Sequence, residues 1–141
     1  MATLSADTLR DYQLGDVEEY PAIAADIIYE GAAVGENGLG YSRPLVAGDA
    51  FQGFALEQCD NAAGSAGDKR VKVRPRGRVV LSIAALAVTA NDRPAVYASD
   101  DATFTLTVGS NSLIGYVSRW VSTGLAVVEF DAALVRAALQ A

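Results

Sequence analysis

From Asp26 to Phe130 the chain is interrupted at intervals of roughly ten residues by turn-forming clusters, with short β-type runs between them, a spacing that belongs to an antiparallel sandwich or barrel. Asp26–Glu30 is stopped by Gly31, Leu39–Leu45 follows Gly35-Glu-Asn-Gly38, and Phe51–Gln58 follows Ala47-Gly-Asp49. Asp60–Gly67 is a loop of residues that tolerate positive φ or bond to their own backbone. Lys69–Arg74 and Arg78–Ile83 are then separated by Pro75-Arg76-Gly77, and Asn91-Asp-Arg-Pro94 introduces Ala95–Ala98. Thr103–Thr107, Leu113–Val121 and Leu125–Phe130 complete the series, divided by Gly109-Ser-Asn111 and Ser122-Thr-Gly124. The expected fold is all-β, an antiparallel sandwich or barrel of jelly-roll-like or tulip-like form.

Branched Cβ atoms suit a pleated, half-buried surface, and valine and threonine recur in these runs. Alternation is clearest in Thr103–Thr107, which predicts Phe104 and Leu106 on one face and three threonines on the other. Helical periodicity is confined to residues 131–140, where Asp131 can cap and Leu134/Ala138 or Val135/Leu139 form an i,i+4 stripe. Residues 1–24 read as an extended N-terminal arm: acidic residues alternate with isolated apolar ones, and Pro21 stops any helix. A short helix at Ser5–Tyr12 with Ser5 as cap is the alternative for part of it. The polar arm buries too little apolar surface to hold itself, so it is expected to be mobile alone and ordered on assembly. Residues 25–141 form a single domain, of a length that can bury a core without disulfides.

Histidine is absent, which removes the commonest general base, the commonest zinc ligand and the usual activator of a serine or cysteine nucleophile. Cys59 is the only cysteine, so neither an intrachain disulfide nor a cysteine metal cluster is available. The adjacent carboxylates Asp100-Asp101 and Glu18-Glu19 fall in a turn and in the arm, and acid–base work needs a shaped, partly desolvated pocket. The glycine-rich pieces lack the Lys-Ser/Thr and following helix of a phosphate loop. No cofactor, metal or catalytic residue is expected, and the chain reads as non-enzymatic. Its longest apolar region, Val79–Ala90, is shorter than a membrane span of about 20 residues, and the N-terminus lacks a basic leader.

One constellation stands out. The net charge is −6, yet six of the eleven basic residues fall between Lys69 and Arg78. In an extended strand Arg70, Lys72 and Arg74 project together while Val71 and Val73 face the other way, and Arg76 and Arg78 extend the stripe past the proline kink. No aromatic is interleaved for base stacking and the rest of the chain is acidic, which argues against nucleic acid and against an anionic membrane. A solvated face paired with neighbouring carboxylates and an interface meeting acidic protein surface are the two readings of this stripe.

The run from Gly40 to Glu57, followed by Asp60–Gly77, Pro94–Leu106 and Leu113–Gly124, resembles the small decoration, or cement, proteins of tailed-phage heads, over about residues 27 to 131. The resemblance implies a virion protein made in the host cytoplasm and bound to the outer surface of the icosahedral head. Its partners would be the major capsid protein and itself, as a homotrimer or alternatively a dimer. Arg70, Lys72, Arg74, Arg76 and Arg78 are the candidate interface residues. A carbohydrate- or host-surface-binding β-module is the alternative, with Tyr41, Tyr97, Tyr116 and Trp120 as its aromatic platform.

Overall fold

The computed structural model describes residues 5–10, 13 and 15–140, and over these the chain is an all-β sandwich with a short C-terminal helix. The first sheet has five antiparallel strands in the order β1(Glu18–Pro21), β7(Arg70–Arg74), β5(Ala50–Ala55), β3(Ala33–Glu36), β4(Ser42–Pro44). The second, also five-stranded and antiparallel, runs β10(Phe104–Thr105), β9(Ala95–Ala98), β11(Ser112–Ser122), β12(Leu125–Asp131), β8(Arg76–Ser82). A two-stranded piece, β2(Asp26–Ile28) with β6(Cys59–Asn61), stands apart from both.

Alternation divides the first sheet between two cores. In β3, Ala33 packs into the main core and the next residue, Val34, into a second one. The main core is joined by four phenylalanines, Phe51 and Phe54 from the first sheet and Phe104 and Phe130 from the second. Phe54 and Phe130 meet edge-on with centroids 4.9 Å apart, and Phe51 meets Phe130 at 6.2 Å. The second core gathers Ile28, Val34, Cys59, Val71 and Val73, with Tyr20 packed against it. The inward residues of β7 thus belong to a core shared with β2 and β6, while its opposite face stays exposed.

Pro75 is the crossover between the sheets. β7 ends at Arg74 in the first sheet and β8 begins at Arg76 in the second, as suits a residue that fixes φ and cannot donate to a ladder. Gly53 (φ 133°) lets β5 approach this crossover, because a Cβ there would lie 2.3 Å from the Arg74 carbonyl oxygen. Helix α1(Ala132–Gln140) starts against the same point: Ala132 N donates to Pro75 O at 2.8 Å, and Leu134 N donates to Asp131 Oδ1 at 3.0 Å, the expected cap.

Several local expectations change. The sheet begins at Glu18, not near residue 25, because Glu18–Pro21 pairs with β7 and places Tyr20 on the second core; Pro21 is tolerated at the end of an edge strand. Residues 5–10 are exposed and without helix, while Asp11 and Tyr12 of the expected Ser5–Tyr12 helix lie outside the described residues. Thr103–Thr107 is a strand only at Phe104–Thr105, and Leu106 is exposed rather than sharing the buried face of Phe104. Among the described side chains of α1 only Val135 is buried in the core; Leu134 and Leu139 are exposed.

Truncating Phe130, 2% exposed and in contact with both phenylalanines of the opposite sheet, is expected to cost about 3–5 kcal/mol as Phe130→Ala. Val80→Ala, on a residue 54% exposed, should stay within about 0.5 kcal/mol. Urea unfolding midpoints of the two variants measure the difference.

Candidate functional site

The three residues Arg70, Lys72 and Arg74 are exposed on one face of β7, and Val71 and Val73 are fully buried on the other. Lys72 lies directly opposite Glu19 of β1, and their Nζ–Oε1 distance is 3.8 Å. Both side chains are about half exposed, so this pair contributes little to stability. Arg70 stands opposite Pro21, and Arg74 opposite Phe54. Among the described residues neither arginine has a carboxylate within 4.0 Å. The face is therefore partly neutralised at its centre and open at its ends.

The expected single stripe is divided by Pro75. Arg76 and Arg78 do not continue the β7 face: they belong to β8 in the other sheet, where Arg76 lies opposite Asp131 and Arg78 opposite Glu129. Arg74 is nevertheless brought back to them, because Arg74, Arg76 and Arg78 line one groove of about 740 Å³. Phe130 and Leu113 contribute apolar surface to it, as do Leu134, Val135 and Ala138 of α1. Arg70 and Lys72 lie instead beside a separate recess with Glu18 and Glu19.

Across the second sheet the groove carries a charged row. Arg78 Nε donates to Glu129 Oε1 at 3.0 Å, and Tyr116 Oη donates to Glu129 Oε2. Arg93 places its guanidinium 5.0 Å from the centroid of the Tyr116 ring. Arg93 has φ 66° and follows the 3-10 turn at Val88–Asp92, whose end it closes by donating its N–H to Ala90 O. The hydrogen bond from Tyr116, then that from Arg78, hold the Glu129 carboxyl below its ordinary range, and the same Glu129 bond raises the Tyr116 phenol. Arg93 and Glu129 are not singled out by the sequence, since Asn91–Pro94 carries only a turn signal and the Arg78–Glu129 register spans 51 positions.

The other side chains singled out in the sequence take ordinary structural places. Asp100 accepts the N–H groups of Ala102 and Thr103, which lowers its pKa and holds the turn, while burial first and Asp100 second raise that of Asp101. Cys59 is buried in the second core, and burial raises its thiol. Arg43 makes a two-pronged bond to the buried carboxylate of Asp49, with Nε–Oδ2 2.9 Å and a second contact of 2.7 Å. Gly35 is needed there, because a Cβ would lie 2.6 Å from Asp49. The four aromatics do not share a platform: Trp120 packs on the main core, Tyr41 stands near Gly67, and only Tyr97 and Tyr116 lie on the second sheet's outer side. Among the described residues no cluster of three or more acidic or cysteine side chains could hold a metal, and no helix is long and apolar enough to cross a membrane.

Comparison with protein-family models, curated proteins and solved structures finds no match for this chain.

Because the folded-state pKa of Glu129 is lowered, its contribution to stability is present above the ordinary carboxylate pKa of about 4.3 and is lost as pH falls through the folded value. Wild type should therefore be more stable than Glu129→Gln at neutral pH, with the difference narrowing steadily below pH of about 4. Denaturant midpoints across that range check the sign.

Proposed function

We propose that this chain is a structural virion protein that binds the outer surface of an icosahedral phage head and stabilises contacts between subunits of the major capsid protein. The observation that carries this reading is the exposed cationic face of β7, with Arg70 and Arg74 at its ends, on a chain of net charge −6. Guanidinium groups with no carboxylate within 4.0 Å among the described residues, on a chain of negative net charge, favour a local acidic protein patch over an extended polyanion, which the rest of the chain would repel. The sequence resemblance over about residues 27 to 131 supplies the identity of that partner.

A clamp of this kind works by mass action: it binds the assembled shell and not dispersed subunits, so the shell is stabilised. Repetition around a symmetry axis makes separately modest contacts act together through high effective concentration. A homotrimer fits this role where three capsomers meet, with a dimer on a two-fold position as the alternative. The carbohydrate-binding alternative has weaker support, since its four aromatic side chains are dispersed.

Changing Arg70, Lys72 and Arg74 together to Glu should leave the sandwich folded, because all three are exposed. Loss of one partner from a desolvated pair costs roughly 2–5 kcal/mol, so binding to undecorated heads should fall by well over tenfold. High salt should reproduce part of the loss. Co-sedimentation of the variant with heads reads the outcome, and normal decoration by the triple variant would reduce the stripe to a solvated face.

A further inference from the structure

The groove beside α1 combines two features that a solvated surface does not require together. Leu134, 59% exposed, and Ala138 border it with apolar surface; Arg74 and Arg76 border it beside Asp16 and Asp131, yet neither guanidinium has a carboxylate within 4.0 Å among the described residues. Arg78 is already held by Glu129, so the open charge lies at the Arg74–Arg76 end. A peptide with a carboxylate near an apolar side chain complements this end of the groove.

The chain itself carries such a peptide. Residues 5–10 have no regular structure and every one is exposed, with Leu9 at 100%. In extended conformation Asp7 and Leu9 project to the same side about 7 Å apart, a spacing that can set a carboxylate at the arginines and an isobutyl group against α1. The root of the arm passes the same groove, since Asp16 is among its lining residues. At Gly15, however, the chain bends with φ 80°, and residues 5–10 make no burying contact with their own body. The roughly nine residues from Leu9 to Glu18 can span about 30 Å, far enough to reach a neighbouring molecule.

We propose that the Arg74–Arg76 groove is the docking site for the Ser5–Arg10 segment of a second copy of this chain, so that the subunits exchange arms. Asp7 then pairs with Arg74 and Arg76, and Leu9 lies on Leu134 and Ala138. The inference concerns self-association in solution and does not depend on binding to a phage head, so the two readings fail separately.

The test uses the full chain without heads. One preparation carries Leu9→Cys, another Leu134→Cys and a third both, and the native Cys59 is buried. Sedimentation should give an oligomer for the wild type, and oxidation of the mixed preparations should join the Leu9→Cys chain to the Leu134→Cys chain. Asp7→Lys should weaken association at least tenfold, and combining it with Arg74→Glu and Arg76→Glu should recover it. Asp7 lies in an exposed segment, so its variant reports docking rather than folding. A monomeric wild type, an oligomer that withstands Asp7→Lys, or disulfides formed only within a chain carrying both substitutions would each overturn the proposal; the last would place the arm in its own groove.

Discussion

The way the two sheets face each other rests on the phenylalanine contact between them. Phe51 and Phe54 project from one sheet, Phe104 and Phe130 from the other, and their largely edge-to-face geometry fixes how the sheets face each other. Phe130 is one residue before Asp131, the cap of α1, and lies opposite Gly77 of β8. The same contact therefore sets the position of the helix and of the first residues after the Pro75 crossover. Through that crossover it also determines where β7 ends and how Arg74 stands relative to Arg76.

Strand alternation converts this arrangement into a charged surface. β7 commits its valines to the second core, which leaves its cations on the exposed face. Where β1 borders it, Glu19 offers partial neutralisation to Lys72; where β12 borders β8, Glu129 does the same for Arg78. Among the β7 and β8 cations, those with no carboxylate within 4.0 Å among the described residues are Arg70 and Arg74, whose cross-strand neighbours are Pro21 and Phe54, and Arg76, whose neighbour Asp131 is bound to the helix terminus. Surplus positive charge on an acidic chain is thus a consequence of register, and an acidic partner is its natural complement.

Much of the fold was legible because it rests on short-range signals. Turn clusters and alternating valines located most strands, and Asp131 with the following apolar spacing located the helix. The facing of Arg70, Lys72 and Arg74 needed only the two-residue period of a strand. What could not be read were the quantities set by distant pairing. Pro75 reads as a break in a stripe, but only the sheet topology makes it a passage between sheets, which removes Arg76 and Arg78 from the face they seem to extend. Glu18 and Glu19 look like arm residues until β7 is seen beside them. The Arg78–Glu129–Tyr116–Arg93 row depends on how three strands pair and on a left-handed conformation at Arg93, and neither has a local signature.

On the function proposed above, the β7 face meets acidic capsid surface. Electron cryomicroscopy of decorated heads at a resolution that separates strands tests it most directly, since the sandwich can be oriented from its helix and its β7–β8 crossover. The expected result is density on the outer shell with Arg70 and Arg74 turned toward carboxylates of the major capsid protein. Density in which β7 faces solvent, or heads that bear no density for this chain, would contradict it.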